Sequence, residues 1–368
     1  MSRSPARKRL LIGLAVAIVA LLVAGTDVWA IRHFGANAAT DHYPDNYLNA
    51  IACPSAAQCW AVGQTASAPG GNTLSEARHP LLQHETAGTW RNVSLPGLGR
   101  RAALQAIACP GASDCWAVGG SSASGPAIIV HWTGGTWKLA SSPALNGGQL
   151  DSISCASLAA CWATGGTQSR SGVTADVLEV WNGFRWALAS TVAGGLRPTE
   201  FSCAAPGHCL ALGLRHGVAA AATYSGGGWT AAPAPSGGTG PGAAAIPSLL
   251  GCASPTMCVA AFPGSHPVTE TWNGRTWTRV TASLPAYPSG LSCSRSGGCW
   301  LLGMTVRSRP LALKWQGSAW APVAMPAARR HGYLNAAACG SRCWAVGGRG
   351  GTRGNGGSFT YPLIQPLA

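Results

Sequence analysis

The most restrictive feature of this sequence is a motif in which a cysteine, a short spacer, a second cysteine and an apolar run ending in glycine follow one another. The clearest copy spans residues 109–119 and reads CPGASDCWAVG. The motif occurs seven times and uses all fourteen cysteines: Cys53 with Cys59, Cys109 with Cys115, Cys155 with Cys161, Cys203 with Cys209, Cys252 with Cys258, Cys293 with Cys299, and Cys339 with Cys343. Successive first cysteines are 56, 46, 48, 49, 41 and 46 residues apart. A period of this length indicates one supersecondary unit repeated along the chain.

Each repeat predicts four short strands. In the second repeat, residues 104–109 predict a short alternating strand that ends in the first cysteine, and residues 116–119 follow the second cysteine. Residues 127–132 predict the third strand, and a glycine turn leads into the fourth at residues 134–139. The 50 glycines and 25 prolines suit strands and turns better than helix interiors. The pattern therefore predicts an all-β fold, a seven-bladed β-propeller of four-stranded antiparallel blades over residues 48–368, with one disulfide per blade.

The N-terminus predicts export. Residues 1–9 form a basic tail, and residues 10–25 are uncharged and mostly apolar. The segment 10–30 is either a transmembrane signal anchor or a signal peptide cleaved after Ala30, and both place the rest of the chain outside the cytoplasm. The propeller is thus expected on the outside of the cell membrane, held by a single-pass helix, or secreted. Paired cysteines in an exported chain predict disulfides.

The two ends of the repeat region predict how it closes. The seventh repeat has a third strand near residues 359–364 and then ends without a fourth. Residues 31–47 form a polar stem, and we expect residues 31–45 to supply the missing edge strand. A six-bladed or open arrangement is the competing interpretation, because residues 219–235 are rich in alanine and glycine and poorly patterned.

The repeats, with their C-x5-C-W-A-V-G hairpins and W-x-G-x-x-W turns, resemble the exported, tryptophan-rich β-propeller proteins of actinobacteria. More distantly, the Gly-x-Thr-Trp turns at residues 134–137 and 274–277 are similar to the end of the Asp-box of sialidase-type propellers, although Trp132 and Trp272 stand where the aspartate would be. This resemblance implies a fold and no particular activity.

Charge suggests a binding surface. The chain has 25 Lys and Arg against 11 Asp and Glu. In a propeller, the turns between first and second and between third and fourth strands share one face, here called the short-turn face; the longer connections share the opposite, variable-loop face. Four arginines fall on the short-turn face: Arg185, Arg275, Arg295 and Arg342. Twelve fall on the variable-loop face: Arg78, Arg100, Arg101, Arg170, Arg197, Arg215, Arg307, Arg309, Arg329, Arg330, Arg349 and Arg353.

The main functional hypothesis is that the variable-loop face binds an anionic lipid headgroup, an acidic envelope polymer or a protein partner. The plainer alternative is that these arginines only solvate the loops. Nucleic acid is disfavoured because the aromatic residues fall at packing positions. A third possibility is an assembly scaffold held at the membrane.

An enzymatic alternative is a glycan-active hydrolase or lyase with its site at the mouth of the central channel. Glu200 and Asp151 lie at the starts of first strands, as do Asn49, Gln105 and Asn335. The structural interpretation, in which these are solvated strand residues, is favoured over catalysis. No catalytic residue is therefore predicted, and the scattered histidines predict neither a metal nor a cofactor.

Overall fold

The computed structural model describes residues 46–66, 78–95, 97–98, 102–121, 125, 127–143, 148–168, 174–237, 248–262, 267–280, 286–294, 298–325, 331–352 and 358–367. These residues belong to one unit, Tyr43–Ala368. No helix in these ranges is long and apolar enough to cross a membrane. The predicted membrane segment at residues 10–30 and the predicted edge strand at residues 31–45 lie outside the described residues.

The described part contains twenty-seven strands in seven consecutive repeat units. Unit one contains β1 (Tyr47–Ser55), β2 (Gln58–Ala66), β3 (Arg78–Thr86) and β4 (Thr89–Asn92). Unit two contains β5 (Ala102–Gly111), β6 (Asp114–Ser121), β7 (Ala127–Trp132) and β8 (Trp137–Ala140). Unit three contains β9 (Gly148–Ser157), β10 (Ala160–Gln168), β11 (Thr174–Trp181) and β12 (Trp186–Ala189). Unit four contains β13 (Arg197–Ala205), β14 (His208–Arg215), β15 (Val218–Ser225) and β16 (Gly228–Ala232).

Unit five contains β17 (Leu249–Ser254), β18 (Met257–Phe262), β19 (Val268–Trp272) and β20 (Trp277–Val280). Unit six contains β21 (Ala286–Ser294), β22 (Gly298–Thr305), β23 (Pro310–Trp315) and β24 (Trp320–Pro322), and unit seven contains β25 (Gly332–Cys339), β26 (Cys343–Thr352) and β27 (Ser358–Leu367). Within each unit the strands pair antiparallel in chain order, and one pair, Gly120 with Gln149, joins units two and three. Among the described strands, β27 pairs with β26 alone. The poorly patterned fourth repeat thus folds as a complete four-stranded unit.

All seven predicted disulfides are present, so the predicted pairing is confirmed. Cys155 and Cys161, for example, are register partners in the first hairpin of unit three, with Cα atoms 4.0 Å apart. The bond therefore links facing residues at the closed end of the hairpin. In the chain-entropy model, each short disulfide loop lowers the entropy of the unfolded chain and thereby stabilises the folded state by about 2 kcal/mol.

A β-bulge explains why glycine ends the apolar run. In the last unit, β25 shifts register between Leu334 and Ala336, so Asn335 has no partner across the ladder. Gly347 faces this bulge, and a Cβ there would collide with the carbonyl oxygen of Tyr333. Equivalent bulges occur in units one, two, three, four and six. The glycine is thus required by the close approach of two backbones.

The first strands of the units contact one another in order and in a closed cycle. Each contacts the first strand of the next unit, and β25 of the last unit contacts β1 of the first. The closing contact includes a hydrogen bond in which the Asn335 Nδ2 donates to the Leu48 carbonyl at 2.9 Å. Asn46, just before β1, also donates its backbone N–H to the carbonyl of Thr360 in β27 at 2.9 Å.

Tryptophan pairs join the outer parts of neighbouring units. Trp60 and Trp137, from units one and two, are edge-to-face with centroids 5.2 Å apart. The same relation holds for Trp116 with Trp186 at 5.4 Å and for Trp162 with Trp229 at 5.2 Å. The tryptophans after the second cysteine therefore pack between units, as their repeat positions predict.

Candidate functional site

Units six and seven bring together three exposed arginines of the variable-loop face. Arg307 and Arg309 lie in the turn between β22 and β23, and Arg349 lies on β26. Backbone contacts join these segments: Gly332 N–H donates to the Ser308 carbonyl at 2.9 Å, and Gly332 is the register partner of Arg349. We call Arg307, Arg309 and Arg349 the arginine cluster.

Local hydrogen bonds fix the backbone of this cluster. The Thr305 Oγ1 accepts the N–H groups of Arg307 and Arg309, at 3.3 and 3.1 Å. Ser308 has a φ of 55° and donates its N–H to the Thr305 carbonyl. Because the turn is fixed, the arginines are displayed from a rigid base, and only their side chains need to be ordered on binding.

Two apolar side chains add contact area beside the cluster. Val306 is 69% exposed within the same turn, and Tyr287 is 52% exposed on β21, opposite Met304. Sequence reasoning selected neither residue.

Two other predicted arginines are already engaged within the protein. Arg197 forms an exposed ion pair with Asp176, Nη2 to Oδ2 at 2.5 Å. Arg215 donates from Nη2 to the Ala193 carbonyl at 2.8 Å. These two positions therefore serve local structure and are poorer candidates for a ligand.

The remaining predicted arginines are not described by the structure. The side chain of Arg78 and all of Arg100, Arg101, Arg170, Arg329, Arg330 and Arg353 lie outside the described residues. Their proposed participation stays a prediction. On the short-turn face, Arg185, Arg275 and Arg342 are exposed, whereas Arg295 is not described.

The polar residues predicted at the starts of first strands mostly bridge neighbouring units. Asn49 donates from Nδ2 to the Leu104 carbonyl and to Gln105 Oε1, both at 2.9 Å. Ser289, at the equivalent bulge of unit six, donates its hydroxyl to the Leu334 carbonyl at 2.8 Å. The bulge directs these side chains toward the next unit, so their main role is structural.

Glu200 and Asp151 form the most unusual electrostatic pair. Burial raises the pKa of the Glu200 carboxyl to about 8; a hydrogen bond from Ser152 opposes this rise, and the negative charge of Asp151 adds to it. The Ser152 Oγ lies 3.4 Å from Glu200 Oε2. Glu200 is thus protonated at neutral pH beside a carboxylate, an arrangement that can supply a proton.

A buried carboxylate that sequence reasoning missed holds the segment entering unit five. Glu270 is 1% exposed and accepts hydrogen bonds from the N–H and hydroxyl of Ser236, at 2.9 and 2.6 Å, and from Gly237 N–H at 3.0 Å. Arg279 lies 3.7 Å from Glu270 and also donates to the Gly237 carbonyl. Glu179 is equally buried in unit three and accepts from Ser142 at 2.7 Å. These acids are therefore structural.

No cluster of three or more potential metal ligands occurs in the part of the chain that the structure describes. A cavity of about 240 Å³ lies between units five and six. It is lined mainly by Thr271, Arg279 and Trp315 together with the turn at residues 317–319. Neither Glu200 nor any residue of the arginine cluster lines this cavity.

No protein family model matches this chain, and no curated protein matches it significantly. Solved β-propellers do match it. The structure described as YCF48 bound to D1 peptide is 13% identical, covers 88% of this chain and 94% of its own, and has a TM-score of 0.53. The WD40 β-propeller domain of Doa1 is 10% identical, with coverages of 88% and 94% and a TM-score of 0.52. The β-propeller domain of the Trilobed protease from Pyrococcus furiosus is 7% identical, with coverages of 88% and 93% and a TM-score of 0.53.

At these identities the likeness concerns the fold alone. Together with the repeated sheets and the contacts between first strands, it shows that the chain has a fold of the β-propeller type. The finer resemblance to tryptophan-rich actinobacterial propellers stays a prediction.

Proposed function

We propose that this chain is an exported, membrane-anchored or secreted seven-bladed β-propeller that binds an acidic partner through the arginine cluster. The observation that carries the proposal is the convergence of Arg307, Arg309 and Arg349 on adjoining segments of units six and seven. Exposed arginines on a fixed backbone favour bidentate contacts with carboxylate or phosphate groups.

The partner we propose is an acidic protein segment or an anionic envelope polymer. Val306 and Tyr287 offer apolar contact beside the positive charges, which suits a chain with both charged and apolar groups. The similar fold of YCF48 is described as bound to a peptide, which gives a precedent for a propeller of this kind holding a peptide. A scaffold role at the membrane is compatible with such binding.

The test measures binding of the oxidised full chain to a fluorescent oligoglutamate peptide and to cell-envelope fractions across a salt series. Removing the three charges with Arg307→Gln, Arg309→Gln and Arg349→Gln should weaken binding about tenfold, since each exposed charge contact contributes about 0.5 kcal/mol. A matched control removes three charges elsewhere, with Arg91→Gln, Arg275→Gln and Arg342→Gln. Equal losses in both triple variants would mean that only net charge matters, and the proposal would be abandoned.

A second candidate function is glycan hydrolysis at the channel. The raised pKa of Glu200 near Asp151 favours it, because an acid that keeps its proton at neutral pH is one of the two carboxyl groups that glycoside cleavage uses. Turnover of a glycoside panel that disappears in Glu200→Gln would support this function. Activity that survives the substitution would exclude Glu200 as its acid.

A further inference from the structure

The short-turn face carries an exposed apolar pair in unit three. Leu158, in the turn between β9 and β10, is 58% exposed, and Phe184, in the turn between β11 and β12, is 90% exposed. No other short turn in the described ranges exposes a large apolar side chain. The two exposed apolar residues are therefore specific to unit three and are not part of the repeated pattern.

Contacts join the two turns, so Leu158 and Phe184 are presented from adjoining, fixed backbone segments. Trp181 donates from Nε1 to the Leu158 carbonyl at 3.0 Å. Gly183 has a φ of 93° and lies so close to Ala159 that a Cβ would be 3.0 Å from the Ala159 Cβ. Asn182 Oδ1 accepts the N–H of Phe184 at 3.1 Å, which fixes the turn. Phe184 is thus held outward by a formed turn.

The charges beside this pair are positive. Arg185 follows Phe184 and is exposed, and Lys138 is exposed on β8 of the neighbouring unit. Four acids of units two and three are described, and each is paired or buried: Asp114 pairs with His131 at 3.1 Å, Asp176 pairs with Arg197, Asp151 accepts from Gln149, and Glu179 is 0% exposed. An apolar centre with basic neighbours is the composition that favours the interface of an anionic bilayer.

We propose that this surface, Leu158 and Phe184 with Arg185 and Lys138, contacts an anionic lipid bilayer. The two apolar side chains enter the interface, and the two cations pair with lipid phosphates. A second copy of the chain is a poorer occupant because the surface and the whole protein are positively charged. The predicted anchor at residues 10–30 would keep a bilayer near the propeller.

This inference is separate from the proposed function, which concerns the arginine cluster of units six and seven. The test uses the full chain reconstituted into vesicles of phosphatidylcholine, with and without phosphatidylglycerol. Because all fourteen cysteines are disulfide-bonded, Phe184→Cys introduces a single free thiol for a polarity-sensitive fluorophore. Val218→Cys, at a residue that is also 69% exposed but lies at the start of β15 in unit four, outside the arginine cluster, is the matched control.

The expected result is that the label at position 184 shifts to the blue in phosphatidylglycerol vesicles and is quenched at least twofold by nitroxide lipids. The label at position 218 should keep its aqueous emission. Adding Arg185→Gln and Lys138→Gln should reduce the quenching at position 184. Unchanged disulfides and tryptophan emission would show that the variants are folded.

Equal quenching at positions 184 and 218, or none at position 184, would overturn the proposal. In that case a protein partner would be the better occupant of the surface. Neither outcome depends on oligoglutamate binding, so the proposed function and this inference can fail separately.

Discussion

Trp344 of the last repeat unit packs edge-to-face against Trp90 of the first, with ring centroids 5.8 Å apart and planes at 89°. This pair repeats the relation that joins units one and two, two and three, and three and four. The seam between the ends of the chain is therefore packed like an internal one, because tryptophans occupy equivalent positions in both units. Leu48 and Val346 belong to the same buried cluster.

We expect Trp344→Ala to lower the free energy of unfolding by about 3 to 5 kcal/mol, since it removes a large side chain that is 2% exposed. Trp90→Ala should cost less in the Trp344→Ala background than in the wild type, by about 0.5 to 1.5 kcal/mol, because the ring contact is already lost. Urea denaturation of the four proteins measures this coupling. Strict additivity would show that the two rings do not stabilise each other.

The Asn335 amide should stabilise the same seam through its bond to Leu48. We expect Asn335→Ala to cost about 1 to 3 kcal/mol, because it leaves a part-buried carbonyl without its donor. Asn335→Ser should recover part of the loss, since Ser289 makes the equivalent bond at its own bulge. Thermal unfolding followed by circular dichroism measures both variants, and equal loss in the two would argue against the hydrogen bond.

Glu270 should be essential to the segment that enters unit five. Glu270→Gln keeps the shape but replaces a carboxylate that accepts three hydrogen bonds, so we expect a loss of about 2 to 4 kcal/mol. Amide hydrogen exchange should rise first at Ser236 and Gly237. Asp176→Asn, which breaks an exposed ion pair, is the control and should cost less than about 1 kcal/mol.

The free energy of unfolding should depend on pH through the protonation of Glu200. Burial raises its folded pKa to about 8, whereas the unfolded value is near 4.5. Between these values the folded state holds a proton that the unfolded state has released, so stability falls as pH rises from about 4.5 to 8 and then levels. In Glu200→Gln this fall should be smaller by up to about 5 kcal/mol, since each pKa unit corresponds to about 1.4 kcal/mol. Unfolding curves that keep the same pH slope in the variant would contradict the raised pKa.

The sequence predicted the repeat and much of its local structure. The third strand of unit two was expected at residues 127–132 and is observed as Ala127–Trp132. Fourth strands were expected to begin near the glycine turn, as at residue 134, but β8 begins at Trp137 because the turn itself uses the preceding residues. Alternation, glycine turns and cysteine spacing are local signals, so they fix strands and hairpins without knowledge of the neighbours.

The candidate site was less accessible to this reasoning. Arg197 and Arg309 look alike in sequence and both are exposed, yet Arg197 pairs with Asp176, whereas Arg309 forms no ion pair with any described residue. Glu270 looked like any other acid, and its burial follows from a chain segment more than thirty residues away. The repeat pattern of the sequence does not indicate such contacts, because they form between residues of different units.

The sequence by itself determined that seven similar hairpins would form, each closed by its own disulfide, because every residue needed lies within a few positions along the chain. Tertiary structure decided which polar residues bridge units, which arginines remain exposed and where Phe184 stands out from the surface. The physical reason is that burial and pairing depend on residues tens to hundreds of positions apart, as with Asn335 and Leu48, and these meet only when the units pack together.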